Sequence, residues 1–270
     1  MGDTPTASGN VPTASSNVPV VSSGSSICGS KVSGAVGAAK AASSRTPGEG
    51  PVLRRHDIQG ILFDADGTLI DTYDIILTSM RYAVNDVLGC ALDDAELMAG
   101  VGTPLYDQML HFTGGDEARA TEITQIYRDH NDGVHDARIR AFGDTKAALE
   151  RFQAAGIPMG VVTSKRHAMA QRGLEMSGIA GYFQFLIGHD DWPEHKPAPG
   201  PILRGCELLG TAPERSLYVG DSPFDIQAGN AAGCATVAAL WGMFPREALA
   251  AERPTFMCDS LTELADRLGI

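Results

Sequence analysis

The stretch Ile61-Leu62-Phe63-Asp64-Ala65-Asp66-Gly67-Thr68-Leu69 sets two carboxylates one residue apart at the end of an apolar run. The segment from Ile58 to Phe63 is short, rich in β-branched and aromatic residues and bounded by the turn-former Gly67. That pattern predicts a buried strand with Asp64 at its carboxyl end. Residues i and i+2 of an extended backbone point the same way, so Asp64 and Asp66 can face one pocket. Two carboxylates that close are costly unless a cation lies between them or one is protonated. The pair therefore predicts a hard divalent ion, a general acid, or both. The plain alternative is an acidic turn in which Asp64 caps the next segment.

Beyond Thr72 the pattern turns helical, with Ile75, Ile76, Ser79, Met80, Ala83, Val87 and Leu88 at helix spacings and Gly89 as a stop. Further helical segments fall at about 93–99, 103–112 and 116–137, punctuated by glycines, and no strand is expected between 71 and 140. From there helix and strand alternate strictly. Asp144 can cap a helix running to Ala155, and strands are expected at 158–163, 183–187, 217–219, 235–238 and 255–257. The intervening and final helices fall at 166–177, 199–209, 223–232 and 260–268. Such alternation implies a Rossmann-like α/β fold: a doubly wound parallel sheet with right-handed crossovers. The organisation expected is a low-complexity tail at 1–50, an α/β core at 51–70 and 141–270, and an all-helical insertion at 71–140.

In sheets of this kind ligands bind outside the carboxyl ends of the strands, so chemistry-bearing groups should come directly after apolar runs. Val161-Val162 leads into Thr163-Ser164-Lys165, a hydroxyl pair entering a helix, which suits either an N-cap or an anion site. Leu217-Tyr218-Val219 leads into Gly220-Asp221-Ser222-Pro223-Phe224-Asp225, where Asp225 also suits the first turn of a helix. Between them His195-Lys196-Pro197-Ala198-Pro199 holds a lysine in a proline-stiffened loop.

These four motifs, in this order, resemble those of the haloacid dehalogenase superfamily over almost all of Ile58–Ile270, and the helical insertion resembles its cap. Gly220 to Gly233 and Gly102-Thr103-Pro104-Leu105 are most similar to the branch around phosphoglycolate phosphatase. Ala65 departs from the larger apolar residue common there, which loosens packing and leaves the chemistry untouched.

The resemblance implies a magnesium-dependent phosphatase acting on a small phosphorylated metabolite. Asp64 would be the nucleophile that takes the phosphoryl group, and Asp66 the acid that protonates the leaving oxygen and then activates water. Mg2+ would be held by the Asp64 side chain, the Asp66 backbone carbonyl and Asp221. Asp225 would orient a water ligand or hold Lys196. Thr163, the Ser164 backbone N–H and Lys196 would bind phosphate oxygens, with Thr68 in the same cradle. In the cap, Arg128 or His130 would choose the leaving group, for instance by pairing with the carboxylate of phosphoglycolate. Inorganic pyrophosphatase and sugar phosphatase or phosphomutase activities stay open as alternatives. Dehalogenases of the superfamily lack an acid at the position of Asp66, and its phosphonatases use a cap lysine, whereas residues 71–143 contain none. A non-catalytic relative would be expected to lose Asp64, Asp66 or a metal acid, and none is missing. Cap opening implies hinges near 71–73 and 140–144.

Composition narrows the class further. Ser, Thr, Ala, Gly and Pro make up 34 of the first 50 residues and the first aromatic is Phe63, so the tail cannot offset its ordering entropy by burial. Pro12 and Pro19 interrupt any secretory apolar stretch, and no run is long enough for a membrane span. Five cysteines, odd in number and without a Cys-x-x-Cys, point to free thiols in a cytoplasmic setting. The formal charge is −12, a poor surface for nucleic acid or anionic lipid.

Overall fold

In the computed structural model, residues 57–270 are described; the tail expected at 1–50 lies outside them. From β1 (Gly60–Phe63) the chain enters four helices: α1 (Tyr73–Met80), which runs on as a π-helical segment at Arg81–Val87, then α2 (Asp94–Met98), α3 (Leu105–Phe112) and α4 (Glu117–Arg138). It continues through α5 (Thr145–Ala154), β2 (Met159–Val162), α6 (His167–Met176), β3 (Leu186–Ile187), α7 (Gly200–Leu209) and β4 (Ser216–Gly220). The remaining elements are α8 (Pro223–Ala232), β5 (Ala235–Ala239), α9 (Arg246–Ala251), β6 (Phe256–Cys258) and α10 (Leu261–Leu268).

All strand pairs are parallel, in the order β3-β2-β1-β4-β5-β6. Every residue of β1 is buried because both faces of the sheet are covered. Ile61 and Phe63 join one cluster with Leu149 and Phe152 of α5, Leu174 of α6 and Leu264 of α10. Leu62, one residue out of phase, joins the opposite cluster with Ile202 of α7, Tyr218 of β4 and Ala228 of α8. This is the doubly wound α/β architecture. Since β2 and β4 flank β1, the chain winds away from β1 in both directions, which opens a crevice at its carboxyl end.

Helices α1 to α4, with the π-helical segment, bury a cluster of their own, in which Met80, Leu97, Met109 and Ile123 are nearly inaccessible. They form an all-helical insertion between β1 and α5, where the cap is expected. Two adjacent segments link it to the sheet: Asp71 N–H donates to Arg140 O at 2.9 Å, Phe142 N–H donates to Leu69 O at 3.2 Å, and the Arg140 and Asp71 side chains pair at 2.8 Å.

Several local expectations are corrected. Asp144 does not cap α5 with its side chain, which instead accepts hydrogen bonds from the backbone and hydroxyl of Thr262. The strand expected at 183–187 narrows to Leu186–Ile187, although Gln184 and Phe185 already bond to β2. Helix α9 went unread, since six residues after Pro245 are too few to display a helical period. Among the described residues, no helix is long and apolar enough to cross a membrane.

Candidate active site

Asp64 is the first residue beyond β1, and its N–H still donates to Val219 O at 2.9 Å, so the sheet ladder fixes its direction. The chain then turns tightly, with Leu69 and Ile70 N–H both donating to Ala65 O. Gly67 sits at φ +77°, and a Cβ there would lie 2.2 Å from Asp221 Oδ2. Only glycine lets the two loops approach so closely. Asp64, Asp66, Thr163, Ser164 and Asp221 all line one cavity beneath the cap, as the strand-end rule requires.

Lys196 is buried between acids. Its Nζ donates to Asp225 Oδ1 at 2.6 Å and lies 3.0 Å from Asp64 Oδ1. The second contact is an ion pair without hydrogen-bond alignment, because Asp64 Oδ1 is buried and has no hydrogen-bond partner. Asp225 is fully engaged: Oδ1 also accepts from Tyr218 Oη, and Oδ2 accepts from the backbone and hydroxyl of Ser222 in a reciprocal cap of α8. Both carboxylate oxygens of Asp221 accept as well, one from Thr68 Oγ1 at 3.1 Å and one from Met243 N–H at 2.8 Å. Thr68, expected at the phosphate, thus spends its hydroxyl on Asp221.

Oxygens of Asp64, Asp221 and Asp225 lie within 4.8 Å of one another. Ionised together, three buried carboxylates against the one ammonium of Lys196 would leave two negative charges uncompensated. Burial, the strongest cause, and the neighbouring acids push the Asp64 carboxyl up to about 6 and the Asp221 carboxyl well above its usual range. Paired with two acids, the Lys196 ammonium is held charged, its pKa raised despite the opposing effect of burial. A divalent cation fits this deficit, and an all-oxygen donor set suits a hard ion. With Asp225 occupied by Lys196, the side chains left for an ion are those of Asp64 and Asp221.

Thr163 and Ser164 do not cap α6, which starts three residues later behind Arg166. Thr163 Oγ1 accepts from Lys165 N–H at 3.3 Å, and Ser164 Oγ donates to Gly102 O, in the loop between α2 and α3, at 2.7 Å. Gly102 has φ +102°, and a Cβ there would lie 2.7 Å from Ser222 Oγ. The cap loop is therefore seated on the two core loops at the ends of β2 and β4.

Helix α4 lines the other side of the cavity with Tyr127, Arg128, Asn131 and Asp132. Arg128 Nε is buried without a hydrogen-bond partner. His130 does not line the cavity: its Nδ1 lies 3.1 Å from Ser79 Oγ, and its ring stacks on Tyr82 at 4.6 Å. Of the two cap candidates, only Arg128 reaches the cavity. Sequence reasoning gave no role to Lys165, whose Nζ pairs with Asp66 Oδ1 at 2.9 Å, or to Arg166, another cavity residue. Both come directly after Thr163-Ser164, so extending the strand-end rule by two residues would have reached them.

Residues 61–239 match the model of the haloacid dehalogenase-like hydrolases. The protein named PpaX of Clostridium perfringens is 38% identical over 209 residues, covering 77% of this chain and 96% of its own length. Pyrophosphatase PpaX of Anoxybacillus flavithermus is 33% identical over 214 residues, covering 79% and 98%. Among solved structures, a predicted phosphoglycolate phosphatase from Haemophilus somnus superposes with a TM-score of 0.68 at 26% identity, covering 78% of this chain and 97% of that one. With its sheet order, inserted cap and strand-end acids, the chain belongs to the haloacid dehalogenase-like hydrolase family.

Proposed function

We propose that the chain is a magnesium-dependent phosphatase that hydrolyses a small phosphate monoester, as a phosphoglycolate phosphatase does, through a phosphorylated Asp64. The observation that carries this reading is the buried cluster in which Asp64 keeps an oxygen free of hydrogen bonds beside Lys196, at the end of the central strand. Mg2+ would be held by the Asp64 and Asp221 side chains and the Asp66 backbone carbonyl, and would supply electrophilic screening of the phosphate charge.

In the first step Asp64 attacks phosphorus and the bond to the leaving oxygen breaks, with Asp66 giving that oxygen its proton. In the second, Asp66 takes a proton from the water that attacks the phosphorus of the aspartyl-phosphate, and inorganic phosphate departs as Asp64 is regenerated. Thr163, the Ser164 N–H and Lys196 hold the phosphoryl oxygens while charge gathers on them. Asp225 keeps Lys196 charged and aimed, consistent with its contact at 2.6 Å. The cap over residues 71–140 closes the site, with hinges near 71–73 and 140–144, beside the backbone contact of Asp71 with Arg140. The substrate comes as a free small molecule, and the setting is cytoplasmic.

Inorganic pyrophosphate is the second reading, favoured by relatives that carry the name pyrophosphatase. One screen tests both: phosphate release from phosphoglycolate, pyrophosphate, sugar phosphates and an aryl phosphate, with Mg2+ and with chelator, ranked by kcat/KM. Turnover that needs Mg2+ and ranks phosphoglycolate first is expected. Absence of turnover on every compound at high enzyme concentration would refute the phosphatase reading.

A further inference from the structure

Three cations line the cavity whose side chains have no part in the phosphate cradle proposed above. Lys165 Nζ holds Asp66 Oδ1 at 2.9 Å, with both side chains more than four-fifths buried. Arg166, from the same loop, and Arg128, from α4, line that cavity too. Neither guanidinium makes a hydrogen bond or an ion pair within the described residues, and Arg128 Nε is a buried donor with no acceptor. The two arginines repel each other, and Asp132 and Asp190 act on Arg128 only from a distance. Like-charged groups lining one cavity without direct partners are well placed to receive an anion between them.

The contact between Lys165 and Asp66 adds a second consideration. One carboxylate oxygen of Asp66 is held by Lys165, and Lys165 reaches the same cavity as the arginines. An anionic group arriving there offers the ammonium an alternative partner. We propose that Lys165, Arg128 and Arg166 bind a second anionic group of the substrate, and that Lys165 leaves Asp66 to do so, freeing that carboxyl group to face the leaving oxygen. This rests on the phosphatase reading above and deepens it. Lys165 is then a positioning residue that makes acid placement conditional on the correct substrate, one carrying a carboxylate or second phosphate beyond the scissile group.

The test compares phosphoglycolate, which carries a second anionic group, with phenyl phosphate, which carries none, in the presence of Mg2+. Lys165→Gln should lower kcat/KM for phosphoglycolate about 10- to 100-fold, the usual worth of a charge-assisted hydrogen bond. The same variant should raise kcat for phenyl phosphate above that of the unsubstituted protein, because Asp66 is no longer tethered. Lys165→Arg should recover most of the loss on phosphoglycolate. Equal losses on both substrates would overturn the inference, since a residue that only supports the site affects both alike. Should Lys165→Gln not fold, Arg166→Gln carries the test: KM for phosphoglycolate should rise about tenfold more than KM for phenyl phosphate, and matching changes would overturn it. Failure of the unsubstituted protein to hydrolyse either compound overturns the phosphate-monoester reading and this inference together, whereas turnover with uniform losses removes this inference alone.

Discussion

Lys196 donates its ammonium to Asp225 Oδ1 at 2.6 Å, and this contact ties the loop before α7 to the first turn of α8. Neither residue has an appreciable accessible side chain, so each charge depends on the other for compensation. The pair holds together one wall of the site.

Breaking that pair from one side should be costly. Lys196→Met leaves Asp64, Asp221 and Asp225 as buried acids with no cation, and about 3–5 kcal/mol of stability should be lost, the usual cost of stranding one partner of a buried ion pair. Urea unfolding of the metal-free protein measures it. A loss below about 1 kcal/mol, the scale of an exposed ion pair, would contradict the placement of Lys196.

Stability should also depend on pH and on metal together. The Asp64 carboxyl is raised from 3.8 to about 6, so the folded state retains a proton that the unfolded chain has released. The unfolded state binds fewer protons across that window, so metal-free stability should fall as pH rises from about 4 to about 6. Mg2+ favours the ionised acids, and its stabilising effect should grow over the same interval. Thermal unfolding at several pH values, with Mg2+ or chelator, checks this; a melting temperature indifferent to Mg2+ at pH 7 would count against a metal at Asp64 and Asp221.

Gly67→Ala should damage the site through Asp221. The added methyl meets that carboxylate at 2.2 Å in a left-handed backbone conformation, so one of the two loops must move. Metal affinity, read by Mg2+ titration of activity, should fall at least about tenfold, as expected when a ligand is displaced. Unchanged affinity would show that the loops are not packed as described.

Ser164→Ala removes the hydroxyl that joins the core to the cap at Gly102. Its backbone N–H, the group assigned to phosphate, is retained. Turnover should drop by about fivefold to tenfold, the worth of one neutral hydrogen bond at a closing contact. Loss of all activity would mean that the hydroxyl itself takes part in the chemistry.

The core was legible because buried parallel strands give short apolar runs with functional groups directly after them, as Asp64, Thr163 and Asp221 are. What the runs cannot show is which side chains cross between loops. Lys165 reaches Asp66 across 99 positions of sequence, and Thr68 turns to Asp221 across 153. The cap was read less well for a reason of helical geometry. Arg128 and His130 both belong to its most polar stretch, but residues two apart on a helix point in nearly opposite directions. Arg128 shares the cavity face with Asn131 and Asp132, while His130 packs toward α1 and Tyr82. Polarity found the helix, and only its rotation determines which residues reach the cavity.

The central claim is that Asp64 becomes covalently phosphorylated, and slowing the second step should reveal it. In Asp66→Asn, quenched in acid during incubation with Mg2+ and an aryl phosphate, whose leaving group departs without the acid, peptide mass spectrometry should find one phosphoryl group on the peptide containing Asp64; Asp64→Asn should neither carry it nor turn over. Normal turnover by Asp64→Asn, or a phosphoryl group on another residue, would contradict the account.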